Sequence, residues 1–206
     1  MPTPGERSTI GAVILAAGAS RRMGTNKMLL PVDGEPMVRH TVRAAIGAGL
    51  DPVVVVLGHE PERARQALAG LACSFVTSDD HTGPTSASLH AGLRALEAAQ
   101  TSGGEPVGAT VVLLGDMVRV TEGMIRDLVK SARTGRAPLE VSRYGDVLAP
   151  PLLFQRVLWP ELLAWTGEGC GKAVVRAHQA EATMHDWPAE ALRDVDTPTD
   201  YEELTR

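Results

Sequence analysis

Aromatic residues make up only 3% of this 206-residue sequence. That scarcity argues against a stacking platform for single-stranded nucleic acid, which relies on exposed rings. Excess positive charge is missing as well: 20 Lys and Arg against 25 Asp and Glu give a formal net charge of −5. No global basic field draws the chain to nucleic acid or to a membrane surface, so any anion binding must come from a local cluster. The two cysteines, Cys73 and Cys170, are far apart. They form neither a metal-ligand spacing nor a disulfide framework, and fit a reducing cytoplasm. No apolar run is long enough to span a bilayer. Residues 1–9 are polar, carry two prolines and lack the apolar stretch of a signal peptide; they are expected to form a flexible tail.

Several catalytic signatures are missing too. His59, His81, His90, His178 and His185 show no paired metal spacing and read as surface or hydrogen-bonded structural histidines. No G-x-S-x-G elbow of a hydrolase occurs. Gly18 and Gly24 stand six apart, but Lys27 does not directly follow Gly24, and no Ser or Thr follows the lysine. The stretch is therefore neither a Walker A loop nor the G-x-G-x-x-G of a dinucleotide fold.

What is present is a regular alternation of apolar runs and amphipathic segments. Strand-like runs fall at Ala12–Ala16, Pro52–Leu57, Cys73–Thr77 and Thr110–Leu114, with helix-like segments at Pro36–Ala48, Pro61–Ala69 and Pro84–Ala99 between them. Pro36, Pro61 and Pro84 sit where a first helical turn accepts proline. This rhythm predicts a three-layer α/β/α, Rossmann-like domain with a mostly parallel sheet. Residues 100–107 read as a surface loop. Beyond it, Met124–Arg133 reads as a helix, Leu139–Ser142 and Val147–Leu148 as a hairpin, and Glu161–Thr166 and Lys172–His178 as helices. Thr183–His185 reads as an edge strand and Asp200–Leu204 as a closing helix. A single domain over residues 10–206 is expected, with a nucleotide-binding half (10–120) and an acceptor-binding half (121–206).

Ligands of such sheets bind beyond the carboxyl ends of the strands. There the first strand runs into Gly18, Ser20, Arg21, Arg22, Gly24 and Lys27. Small residues let a backbone approach a ligand closely, and three cations suit a polyanion such as a nucleoside triphosphate. At the same edge Val111-Val-Leu-Leu-Gly-Asp116 ends in a carboxylate. Asp116 is either a ligand for Mg²⁺, a hard cation that prefers oxygen, or the cap of the next helix. In Arg193-Asp194-Val195-Asp196-Thr197-Pro198, an extended backbone points both aspartates the same way, making Asp196 a second metal ligand or a helix cap. Thr85, Ser86 and Ser88 open a helix; they offer hydroxyls to a nucleobase edge or cap the helix.

Leu15-Ala-Ala-Gly-Ala-Ser-Arg-Arg-Met-Gly24 with Lys27 resembles the signature of nucleotidyltransferases with a GT-A-like, Rossmann-type fold, and Gly115-Asp116-Met117 resembles their metal-aspartate motif. Within that superfamily nearly all of residues 10–206 is similar to the molybdenum cofactor cytidylyltransferases and their relatives, which include maturation proteins of xanthine-dehydrogenase-type molybdoenzymes. Supporting segments are Thr85–Leu93, Pro151–Phe154, 156–163, Gly167–Lys172 and Asp194–Pro198. The resemblance implies transfer of CMP from CTP to molybdopterin, giving the cytosine dinucleotide cofactor and pyrophosphate. It implies Arg22 and Lys27 on phosphates, Asp116 and Asp196 on Mg²⁺, and a nucleotide site of Leu15, Ala16, Ala17, Gly18, Ala19, Ser20, Arg21, Met23, Gly24, Thr85, Ser86 and Ser88. The guanylyl-transferring relative resembles L-A-G-G where this chain has L-A-A-G, so Ala17 favours cytosine by sterics. Residues 150–172 would receive the pterin.

Two departures stand out: Val118 replaces the proline of Gly-Asp-Met-Pro, and Gly167-Glu-Gly-Cys-Gly-Lys172 replaces Gly-Asp-x-Gly-Ala-Arg, losing bidentate arginine chemistry. A nucleotidyltransferase for a sugar phosphate or other phosphorylated alcohol is the alternative enzyme. A non-catalytic molybdopterin-binding chaperone for a molybdoenzyme is the alternative of another class.

Overall fold

The computed structural model describes residues 9–18, 23–78, 83–99, 101, 103–169, 171–192 and 197–204. The first strand, β1 (Thr9–Ala16), is buried from its second residue onward. It starts three residues before the expected Ala12, so Thr9 belongs to the sheet rather than to a tail. A one-turn 3₁₀ segment (Lys27–Leu29) and a two-stranded hairpin, β2 (Pro31–Val32) and β3 (Glu35–Pro36), lead into α1 (Met37–Gly47). Then follow β4 (Val53–Leu57), α2 (Pro61–Ala67), β5 (Ser74–Thr77), α3 (Thr85–Ala98), β6 (Val107–Leu114) and α4 (Glu122–Thr134). The second half supplies β7 (Leu139–Tyr144), β8 (Val147–Gln155), α5 (Trp159–Ala164), α6 (Lys172–Ala177), β9 (Thr183–Trp187) and α7 (Pro198–Leu204).

Seven strands form one sheet in the order β5-β4-β1-β6-β8-β7-β9. β8 runs antiparallel to both neighbours, while the other pairings are parallel. Strands covered on both faces read as continuous apolar runs, which is why Val13–Ala16 and Val53–Leu57 carry no polar alternation. β1 feeds two cores. Ile10, Ala12, Ile14 and Ala16 pack with Val38, Val42, Leu68, Ile125 and Leu128 of the α1, α2 and α4 layer. Val13 and Leu15 pack with Leu89, Leu93, Leu162, Val174 and Val175 of the α3, α5 and α6 layer. Burying one such Leu or Ile contributes roughly 1.5–3 kcal/mol. Removing Ile125 or Leu128, both fully buried, would loosen α4 from the sheet.

One expectation needs correction. Residues 151–154, assigned to the acceptor pocket, are the buried middle of β8, between β6 and β7. Prolines 150 and 151 argue against a strand interior, since proline cannot donate to a ladder. They sit where the β7–β8 register shifts, between Val141↔Leu152 and Arg143↔Leu148. Their carbonyls accept hydrogen bonds from Tyr144 Oη (3.0 Å) and Ser142 Oγ (2.8 Å).

The strand order reverses between β1's two neighbours, β4 and β6. This is the switch point at which α/β sheets leave a crevice beyond their carboxyl ends.

Candidate active site

β1 and β6 end side by side, with Leu15 in register with Leu114. Gly115 N donates to Leu15 O at 2.9 Å, carrying the pairing one residue past the strand. A Cβ at Gly115 would meet Met28 Sδ at 2.9 Å and Ala16 Cβ at 3.1 Å. The close approach demanded here accounts for the glycine before Asp116. The chain turns after Gly115 and leaves Asp116 6% exposed at the sheet edge.

Lys27 arrives from a different direction. Asn26 caps the 3₁₀ turn by accepting from Met28 N at 3.2 Å. Its Nδ2 donates to the carbonyl of His59, just beyond β4, at 3.1 Å. Met28 is buried beneath the turn. Anchored at both ends, the turn places Lys27 Nζ 2.6 Å from Asp116 Oδ2, with the two side chains 12% and 8% exposed. The other oxygen, Asp116 Oδ1, is buried without a hydrogen-bond partner among the described residues.

These groups share a cleft of about 190 Å³. Leu15, Leu114 and Met28 form its apolar base. Ala17 and Gly18 continue from β1, Lys27 and Asp116 supply the charge, and Gly83, Thr85 and Ser88 approach from the start of α3. Leu15, Ala17, Gly18, Lys27, Thr85, Ser88 and Asp116, all named from the sequence, therefore meet in one place. Ala16 belongs to the opposite core, on the α1 side of β1. Met23 and Gly24 are not among the lining residues; Gly24 has φ +67°, a left-handed turn that favours glycine. Ser86 is buried and its hydroxyl accepts from Gly167 N at 3.0 Å, so it holds a neighbouring loop instead of facing the cleft. Ala19, Ser20, Arg21, Arg22 and Asp196 lie outside the described residues, as does His81.

The sequence left Asn26, Met28 and Leu114 out of the site, and named Glu168 only within the acceptor segment 150–172, with no link to Thr85. Asn26 carried a usable signal, because an Asn side chain readily accepts from the backbone N–H two residues on, capping the turn that follows it. Glu168 carried none: its Oε2 accepts from Thr85 N (3.2 Å) and Thr85 Oγ1 (2.5 Å), 83 residues away.

Thr197 stands at the start of α7. Its hydroxyl accepts from Asp200 N (3.2 Å), while the Asp200 carboxylate accepts from Thr197 N (2.7 Å). This reciprocal capping box makes Thr197 the cap of α7. α7 in turn packs Tyr201 and Leu204 with Val32, Met37 and Val118, two residues from Asp116. Val118 is thus part of a small apolar cluster.

Among the described residues no group of three or more His, Cys, Asp or Glu is placed to hold a metal by itself. The fit to a divalent cation rests on Asp116, a cleft-lining carboxylate with one buried oxygen that has no partner among the described residues. Hard cations in phosphate chemistry take one or two carboxylates and complete their shell with substrate phosphates and water. No described helix is long and apolar enough to cross a membrane.

Comparisons with known proteins agree with this geometry. Residues 12–182 match the family described as the MobA-like NTP transferase domain. The chain is 30% identical over 207 residues to the purine catabolism protein PucB of Bacillus subtilis, covering 94% of this chain and 95% of that protein. It is also 30% identical over 145 residues to the bifunctional protein GlmU of Desulfotalea psychrophila. That match covers 68% of this chain and 40% of the relative, so the chain spans well under half of it. Among solved structures, Rv0371c of Mycobacterium tuberculosis superposes with a TM-score of 0.82 at 27% identity, covering 96% of this chain and 98% of that one. A manganese complex of the same protein superposes with a TM-score of 0.76. A divalent metal is consistent with the family. The three-layer fold, the shared cleft and the match over most of its length show that this chain belongs to the MobA-like NTP transferase domain family and is a nucleotidyltransferase.

Proposed function

We propose that this nucleotidyltransferase moves CMP from CTP to the terminal phosphate of molybdopterin, releasing pyrophosphate. The observation that carries the reading is Asp116, which lines the cleft in a buried pair with Lys27 and keeps a second carboxylate oxygen that has no hydrogen-bond partner among the described residues. An oxygen of the acceptor phosphate attacks the α-phosphorus in line. A new P–O bond forms as the bond to the β-phosphate bridging oxygen breaks, and that oxygen leaves with pyrophosphate. No protein nucleophile is required, so positioning and charge stabilisation supply the rate.

In this reading Lys27, with Arg22 and Arg21 from the preceding loop, neutralises charge on the phosphates. Gly18 to Gly24, with Ala19, Ser20 and Met23, follows the triphosphate. Thr85 and Ser88 offer hydroxyls to the base edge. Asp116 and Asp196 would hold Mg²⁺. Bound there, the ion would polarise the α-phosphate and offset charge on the departing pyrophosphate. The Ala17 methyl narrows the cleft where relatives selecting guanine resemble glycine, which supports cytosine. A half-buried, free Cys73 suits a reducing cytoplasm. Molybdopterin as acceptor, and delivery of the product to a xanthine-dehydrogenase-type molybdoenzyme, rest on the family resemblance.

The test is a panel of CTP, GTP, ATP and UTP with Mg²⁺ and molybdopterin, following pyrophosphate release and the dinucleotide by mass spectrometry. The expected outcome is product with CTP. Turnover only with a sugar phosphate or another phosphorylated alcohol would replace the acceptor while keeping the transferase.

A further inference from the structure

Pro84 occupies the N-cap position of α3 and makes no side-chain cap. A helix start leaves N–H groups in need of acceptors, and proline has no side-chain oxygen to offer. Here the acceptors come from more than eighty residues away. The Glu168 carboxylate takes Thr85 N and Thr85 Oγ1, and the Gly167 carbonyl takes Ser86 N at 3.0 Å. In return Ser86 Oγ accepts from Gly167 N. The negative carboxylate also suits the positive end of a 14-residue helix.

Residues 165–169 thus form an arm tied at two points. At its base α5 lies along α3, with Leu162 fully buried and its carbonyl 2.9 Å from His90 Nε2. Trp165, 37% exposed, follows α5, and Gly167 packs against its indole. At its far end the arm returns to the first turn of α3. Thr85 is the shared residue: it lines the cleft and donates both hydrogen bonds to Glu168.

We propose that Glu168 is a positioning residue for nucleotidyl transfer. By capping α3 it locks the arm to the nucleotide-side rim, fixing the gap between the cleft and an acceptor phosphate brought up beside the arm. Glu168 touches no reacting atom in this scheme; it acts through Thr85 and the arm. The proposal rests on the transferase reading of the cleft, with the arm as the acceptor side.

The test compares wild type, Glu168→Ala and Glu168→Gln, each with and without Trp165→Phe. Acrylamide quenching isolates the Trp165 signal as the part lost on Trp165→Phe, and needs no substrate. Its quenching constant should rise about twofold or more in Glu168→Ala as the charge-assisted bonds are lost, and less in Glu168→Gln, which keeps an acceptor oxygen. In pyrophosphate release with CTP and molybdopterin, the acceptor KM should rise about tenfold while the CTP KM stays within about twofold. Unchanged Trp165 quenching in Glu168→Ala overturns the proposal, and so does an equal rise of both KM values, which marks general loosening. If wild type transfers nothing to molybdopterin, the acceptor assignment fails by itself, and quenching still decides whether Glu168 holds the arm.

Discussion

Lys27→Met removes the ammonium but keeps a long apolar stem, so it isolates the charge at the centre of the cleft. At 2.6 Å and an effective dielectric near 20, the gross attraction between Lys27 and Asp116 is about 6 kcal/mol. Most of that offsets desolvation, because both side chains are nearly buried. The net worth of the pair is therefore small, while the cost of breaking it is large. Removing one partner strands a buried charge, which costs about 3–5 kcal/mol. Asp116 Oδ1 already lacks a partner, so the carboxylate has no described alternative. Urea unfolding in the presence of a chelator should show Lys27→Met less stable by about 3 kcal/mol, a large share of the roughly 5–15 kcal/mol of a typical domain. Adding Asp116→Asn should recover most of this loss, because the neutral amide needs no counter-charge. Magnesium or manganese should raise the midpoint of Lys27→Met more than that of wild type, since a cation there replaces the lost charge. A loss below about 1 kcal/mol, or a double variant no more stable than Lys27→Met, would refute the reasoning.

Other positions separate base choice from stability. Ala17→Gly removes one methyl from the cleft and should shift the CTP-to-GTP ratio of kcat/KM toward GTP by about tenfold, the worth of one such group; an unchanged ratio removes Ala17 from base selection. His185 Nε2 lies 2.8 Å from Oε2 of the fully buried Glu140, whose Oε1 has no partner among the described residues. His185→Leu should therefore cost about 3 kcal/mol in urea, and Glu140→Gln added to it should restore part. The hydrogen bond to Glu161 holds the His178 imidazole above its ordinary 6.5, with burial opposing. Because the folded value is the higher one, the stabilisation is complete below 6.5 and disappears as pH rises through the folded value. The midpoint difference between wild type and His178→Gln should thus be largest in mild acid and shrink in alkali. A difference independent of pH would remove the charged histidine from the account.

Three of the leading strands, β1, β4 and β6, were legible because each is buried on both faces, so residues 12–16, 53–57 and 111–114 appear as unbroken apolar runs. Their end points at Gly18 and Gly115-Asp116 placed the cleft. β8 was hidden for the opposite reason: Pro150 and Pro151 break the local rule for a strand, and only the register shift beside Val141 and Arg143 accommodates them. Ser86 read as a base-pocket hydroxyl or a cap because hydroxyls at a helix start suggest both. Its actual partner, Gly167, is 81 residues away, beyond any pattern in the flanking sequence.

The same distance explains how a single cleft is assembled from weak local signals. The strand edge alone supplies Asp116 and a glycine turn, which fit binding or capping equally well. Three returns of the chain narrow that choice. The turn at Asn26–Met28 presses an ammonium onto the carboxylate, and the arm at Gly167–Glu168 stiffens the rim at Thr85. α7 docks on Val118 and Pro31, where Tyr201 Oη donates to the Pro31 carbonyl at 2.6 Å. Each return fixes a residue that the sheet cannot hold alone, and each adds a hydrogen bond to whatever apolar contact it makes. Such hydrogen bonds add little stability singly, about 0.5–1.5 kcal/mol. Their value lies in geometry: an in-line displacement depends on keeping the attacking oxygen, the phosphorus and the leaving oxygen aligned, and errors of an ångström there are costly. A sheet edge tied by three such returns meets that requirement without a protein nucleophile.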